Sequence, residues 1–203
     1  YIGGCSLETH LNNIKNDLPA YDYRRFERGI SSTNFKISEA LKIEDWQYIT
    51  LQQASYSSGE KQSYACLNEL LDLLKKQKPQ NARLYWHMTW AYAQGAAHPE
   101  FVRYNNDQLT MYNAIVGCVR DKVLKFSDFI KVIPSGTAVQ NARTSSVGDN
   151  LDRDGYHLSF DFGRYIAGLC VVCTLLDIKP EEITFVPRGV DPLRRKIAIE
   201  SVN

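Results

Sequence analysis

The sequence predicts an α/β chain: a three-layer α/β/α sandwich built on a five-stranded parallel sheet. Two observations carry this reading. Short apolar or β-rich runs alternate with amphipathic stretches, the pattern of βαβ units. Hydrophobic residues make up 44% of the 203 residues, enough to bury a large core, and no Pro/Gly/Ser linker or fixed-period repeat divides the chain, so a single domain over 1–203 is expected.

The expected strands are "YIGG" (1–4), "AYDYRRF" (20–26), "WQYITLQQ" (46–53), "ARLYWHMTW" (82–90) and "FIKVIPS" (129–135). Helices lie between them. "LETHLNNIKNDL" follows the first strand and "KISEALK" the second. "GEKQSYACLNELLDLLKKQK" follows the third, with Leu67, Leu70, Leu71 and Leu74 at helical spacing and a basic last turn. "NNDQLTMYNAIVGCVRDKVLKF" follows the fourth strand, and "FDFGRYIAGLCVVCTLL" comes late. The tail "PRGVDPLRRKIAIESVN" ends in a short helix expected to pack outside the sheet.

The net charge is +1, with 24 basic and 23 acidic residues interspersed, so nothing marks a nucleic-acid or anionic-membrane partner. A neutral or small polar ligand fits better. The longest apolar run, "IAGLCVVCTLL", falls far short of the roughly 18 to 20 residues that span a bilayer, so no membrane insertion is expected. The opening "YIGG" reads as the tail of a strand that begins upstream. On that reading a targeting segment has been removed and the protein is secreted or periplasmic; otherwise it is cytoplasmic. Of five cysteines only Cys170 and Cys173 stand close, mid-helix on an oily face, which suits core residues better than a redox or zinc pair. No P-loop, dinucleotide fingerprint, HExxH or EF-hand spacing occurs, so neither cofactor nor metal is expected.

In open parallel sheets ligands bind where strands end and helices begin. The first strand ends in "GGCSLE", where two glycines allow a tight turn and Ser6 stands at the helix start, either as a nucleophile or as an ordinary N-cap. The third ends in "LQQAS", where Gln52 or Gln53 either donates to an oxyanion or tethers a loop backbone. In "RDGYHLS", Asp154 and His157 can meet within one turn, as a carboxylate must if it is to orient an imidazole; the bland alternative is a surface loop. "WHMTWAY" contributes Trp86 to the core, and Trp90 either to the core or to a platform for sugar faces. His87 reads as a satisfied strand histidine, and His10 and His98 as surface residues. "IPSGTAVQNAR" brings Ser135, Thr137, Asn141 and Arg143 to the same rim, with Arg143 either binding a substrate carboxylate or bracing the "RDGYHLS" loop.

Taken together, "GCSL" near the start and "DGYH" near the end, with a parallel α/β pattern between them, resemble the SGNH or GDSL-type hydrolase superfamily over essentially the whole chain. "WQYITLQQAS", "WHMTWAY", "IPSGTAVQNAR" and "RDGYHLS" look more narrowly like a bacterial branch described only as a domain of unknown function, frequent in gut Bacteroidetes. The resemblance implies a flavodoxin-like SGNH fold and a metal-independent serine esterase acting on small-molecule or carbohydrate esters, such as acetylated sugars. It assigns Ser6 as nucleophile, His157 as general base and Asp154 as the orienting acid. The Ser6 N–H would share the oxyanion with Gln52 or Gln53 and with Gly29, or with Ser32 if the alignment shifts. Two departures stand out: the superfamily's G-x-N-D block is replaced by "LQQAS", and a one-residue shift would make Cys5 the nucleophile. The leucine after Ser6 favours the serine. The alternative function is a glycan-binding or scaffold protein that kept the fold and lost turnover.

Overall fold

The computed structural model describes residues 1–25 and 30–203 of the chain. Its elements are α1 (Leu7–Lys15), β1 (Tyr21–Arg25), β2 (Ile30–Phe35), α2 (Ile37–Ala40), β3 (Tyr48–Leu51), α3 (Leu67–Gln77), β4 (Arg83–His87), α4 (Gln108–Cys118), β5 (Phe129–Ile133), α5 (Ser135–Arg143), α6 (Phe162–Leu176) and α7 (Pro192–Val202).

The sheet that organises the site is parallel and three-stranded, in the order β3-β4-β5, with Leu51 opposite Trp86 and His87 opposite Ile133 at its carboxyl end. Alternation along β4 supplies both faces. Leu84 and Trp86 point into a cluster with Leu7, Leu11, Leu67, Leu71, Met111 and Ile115 of α1, α3 and α4. Tyr85 points the other way, with Ile133, into a cluster formed by Val139, Ile166, Leu169 and Ala198 of α5, α6 and α7. Spacing along the helices explains their seating: Leu7, Leu11 and Ile14 line one face of α1, and Leu67, Leu70, Leu71 and Leu74 line one face of α3.

Two expected strands do not join this sheet, so five parallel strands become three. Residues 1–4 form a turn: Gly4 sits at φ +60°, a conformation costly for other residues, and Tyr1 bonds instead to Asp22, whose N–H donates to the Tyr1 carbonyl at 2.8 Å. The expected strand 20–26 is β1, but it pairs antiparallel with β2, a strand not foreseen in "ISSTNF". The connection between them is too short for the dozen or more residues that a parallel crossover needs. A cleft of about 730 Å³ separates this hairpin from β3, lined by Tyr21, Tyr23, Phe35, Trp46 and Tyr48. The stretch "SGTAVQNAR", expected to line the rim after the fifth strand, is helix α5, its Ala138, Val139 and Ala142 buried at helical spacing. The tail helix α7 packs on α5 and α6, outside the sheet. Cys170 is buried in the core and Cys173 half-buried, both as free thiols. No helix among the described residues is long and apolar enough to cross a membrane.

One close approach fixes how α5 leaves the sheet. The Gly136 N–H donates to the Met88 carbonyl at 3.1 Å, and a Cβ on Gly136 would lie 2.1 Å from the Thr89 carbonyl oxygen. Gly136→Ala is therefore expected to lower unfolding free energy by about 2–3 kcal/mol. Gly117→Ala, in α4 with nothing within 4 Å of the new methyl, is expected to gain about 0.8 kcal/mol. Paired urea titrations check both signs.

Candidate active site

Ser6 opens α1. Its hydroxyl accepts the Thr9 N–H at 3.1 Å and meets the Thr9 hydroxyl at 3.0 Å, so it caps the helix. Its own N–H has no partner among the described residues.

The turn is pinned to the sheet by Gln53, 1% exposed just beyond β3. Gln53 Oε1 accepts the N–H of Leu7 at 3.0 Å and of Ala54 at 2.8 Å, while Nε2 donates to the Ser63 carbonyl and hydroxyl, both at 3.0 Å. Every hydrogen-bonding group of that amide is occupied, so Gln53 is a tether and has no donor left for an oxyanion. Gln52 is exposed and retains its amide for solvent or ligand. Gly29 lies outside the described residues, and Ser32 belongs to β2 in the hairpin.

Asp154 and His157 meet as their spacing suggests. Asp154 Oδ1 accepts the His157 N–H at 2.7 Å and the Tyr156 N–H at 3.2 Å, and Oδ2 lies 2.7 Å from His157 Nδ1. Burial alone would raise this carboxyl, but the His157 N–H, the His157 imidazole and the Tyr156 N–H outweigh it and hold Asp154 at about 2. With Nδ1 engaged by the carboxylate, Nε2 of the exposed imidazole faces outward. Among the described residues no hydrogen bond joins Ser6 to His157.

The loop carrying this pair is tightly bound. Asp152 and Leu158 form an antiparallel bridge, the Arg153 N–H donates to the His157 carbonyl at 2.9 Å, and the Gly155 carbonyl accepts the Ala93 N–H at 2.7 Å. Gly155 has φ +89° and its missing Cβ would stand 2.9 Å from the Ala96 Cα, so only glycine fits. Trp90 Nε1 donates to the Tyr156 carbonyl at 2.9 Å, so this half-buried ring holds the loop and is not an open platform for a sugar. Arg143 braces the loop as well: it reaches Asp149 at 2.7 Å, Asp152 at 2.9 Å and the Ala91 carbonyl at 3.0 Å, with its side chain 5% exposed. A guanidinium buried to this degree is closed to a substrate carboxylate.

The remaining rim candidates turn elsewhere. Asn141 donates to the Ser201 carbonyl of α7, and Thr137 meets Tyr112 and the Met88 sulfur. Ser135 and His87 stand 2.8 Å apart, like a nucleophile and its base, but burial lowers His87 to about 4, leaving it neutral, and the Ser135 beside it is fully buried, out of a substrate's reach. Cys5 touches His10 at 3.5 Å, and burial pushes its thiol up to about 11, so it stays protonated at neutral pH.

Sequence reasoning missed the wall behind His157. Tyr156 lies against His157 at 4.4 Å between ring centres, and Tyr92, tilted, and His98, edge-on, pack against Tyr156 in turn. His98 Nδ1 accepts the Glu100 N–H at 3.2 Å. Ser55, on the turn after β3, meets the Tyr92 hydroxyl at 3.0 Å, and the Tyr56 hydroxyl donates to the Gly4 carbonyl at 3.4 Å. The segment 53–56 therefore links the Ser6 turn to the His157 wall. The "WAY" of "WHMTWAY" was the available signal, because a tyrosine two residues beyond a tryptophan at a strand's end faces the same rim. Among the described residues no cluster of three or more His, Cys, Asp or Glu is gathered as a metal site.

The chain matches the model of "Domain of unknown function (DUF4886)" over residues 1–201. It is similar to a DUF4886 family protein from Bacteroides uniformis ATCC 8492, whose crystal structure superposes with a TM-score of 0.94 at 41% identity, covering 100% of this chain and 79% of that one. No curated protein matches the chain.

Replacing Gln53 with leucine separates the tether from an oxyanion donor. Two backbone N–H groups would lose their buried acceptor, so Gln53→Leu is expected to cost about 2–4 kcal/mol in a urea titration. A stable Gln53→Leu protein would contradict the tether.

Proposed function

We propose that this protein, which belongs to the DUF4886 family, is a serine hydrolase of carboxylic esters, with Ser6 as nucleophile, His157 as general base and Asp154 as the acid that orients it. The observation that carries the reading is the Asp154–His157 pair. A carboxylate that accepts from both the imidazole and the backbone N–H of the same histidine fixes that ring's tautomer and direction and leaves Nε2 for a partner, the role this reading gives to Ser6. The parallel sheet with helices on both faces supports a flavodoxin-like SGNH architecture in part, with three parallel strands where five were expected, and the SGNH superfamily is the wider assignment we favour.

In this mechanism Ser6 Oγ leaves its cap on Thr9, gives its proton to His157 Nε2 and attacks the ester carbonyl carbon. The oxyanion is held by the Ser6 N–H, with Gln52 as the remaining amide donor. Collapse of the tetrahedral intermediate expels the alcohol, which takes the proton from His157. Water then gives a proton to the same imidazole as it attacks the acyl-enzyme, and the acid leaves as Ser6 recovers its proton. Acetylated carbohydrates are the substrates to screen first, since Tyr156 packs against His157 and Tyr56 bonds to the Gly4 carbonyl beside Ser6, and such rings can serve as platforms for sugar faces.

A second reading, a binding protein without turnover, is favoured by the capped Ser6 hydroxyl and the fully occupied Gln53. Hydrolysis of p-nitrophenyl acetate separates the two. Ser6→Ala and His157→Ala are expected to lower kcat by about 10^4-fold or more, and Asp154→Asn by about 10^2 to 10^4-fold, with Cys5→Ala unchanged. Loss in Cys5→Ala with survival in Ser6→Ala would move the nucleophile to Cys5. An inactive wild type would favour the binding protein.

A further inference from the structure

We propose that Arg143 is a positioning residue for the Asp154–His157 pair: its guanidinium locks the base of the 152–158 turn to the segment after β4, so that the imidazole is presented at one fixed place against the Tyr156–Tyr92 wall. The proposal rests on the reading of Asp154–His157 as the working pair.

Three elements meet at this one side chain. Arg143 is the last residue of α5, its Nη2 donates both to Asp152 and to the Ala91 carbonyl, and its Nε donates to Asp149. Asp149 in turn accepts the Gln94 N–H at 2.6 Å, so the strand-end segment carrying Tyr92 is gripped from two sides. Asp152 opens the antiparallel bridge to Leu158 that closes the turn, and Asp154 follows two residues later. A displacement of Asp152 passes to the pair through Arg153, whose N–H is bonded to the His157 carbonyl at 2.9 Å.

The pair is poorly built for stability alone. Arg143 and Asp152 have side chains 5% and 1% exposed, yet Arg143 Nη1 and Asp152 Oδ1 lack partners among the described residues. Buried charges left partly unsatisfied contribute less than an apolar pair of the same volume would. What the planar fork provides is registration, because two donors on one rigid plane fix the direction of two acceptors at once. A lysine ammonium at the end of a flexible stem cannot hold Asp152, Asp149 and the Ala91 carbonyl together.

The test follows the Asp154 carboxyl by carbon NMR across pH in the whole protein, which needs no turnover. The charged groups facing Asp154 are His157, Arg153, whose Nε lies 3.8 Å away, and the Asp152 carboxyl, and none of the three is itself substituted. In Arg143→Lys the midpoint of Asp154 is expected to climb from about 2 by about one pH unit as its hydrogen bonds slacken, while Asp17, held low by Lys36 and Ser38 on the far hairpin side, stays put. Asp149→Asn, which removes only the more exposed arm, is expected to shift Asp154 in the same direction by less, and covers the case in which Arg143→Lys does not fold. An unmoved Asp154 in the folded variants, or an equal movement of Asp17, overturns the proposal. If Asp154 shifts as expected in a protein that hydrolyses no ester, the clamp stands and the hydrolase reading falls.

Discussion

A buried amide with all its hydrogen-bonding groups in use decides where the chemistry of this protein can stand. Gln53 sits two residues beyond the end of β3, buried, and bonds to the first N–H of α1, so the helix capped by Ser6 is held against the carboxyl end of the parallel sheet. The other backbone segments at that end, after β4 and β5, are delivered there by the parallel register itself. Ser55, Tyr56 and Tyr92 then bridge the Ser6 turn to the loop with His157.

The loop from 149 to 158 uses two aspartates in opposite ways. Asp152 is buried, which raises its carboxyl, with Arg143 opposing that rise from 2.9 Å; Asp154 is more open and is held low by three donors from its own turn. The first serves the fold and the second the imidazole. Environments that push neighbouring carboxyls apart in this way let one of them stay ionised beside a base while the other anchors the backbone. The aromatic wall of Tyr92, His98 and Tyr156 completes the division, since it backs the imidazole and leaves Nε2 open to the rim.

What the sequence revealed depended on how local the deciding interaction is. Asp154 and His157 lie three residues apart, so their meeting was readable from a single turn, and the leucines of α3 declared their face by spacing alone. The runs at 48–51, 83–87 and 129–133 were legible as strands because their apolar β-formers are nearly continuous. Pairing was not legible: β1 looked like a parallel strand until the short return to β2 forced a hairpin. The role of Gln53 was hidden for the same reason, because its partner Leu7 is 46 residues away and an amide's pattern does not announce its acceptor side. Helix α5 was masked by serine, glycine and threonine in its first turn, and with it the direction of Asn141 toward α7. Arg143 could be read two ways in sequence, and only the distances to Asp152 and Ala91 show it turned inward.

If the proposed mechanism holds, His157 activates the Ser6 hydroxyl. The most direct measurement exposes the protein to a fluorophosphonate, which phosphonylates only an activated nucleophile, and locates the adduct by peptide mass spectrometry. The account predicts an adduct on Ser6 that disappears in His157→Ala. An adduct that persists in His157→Ala, one carried by another residue, or none at all would contradict it.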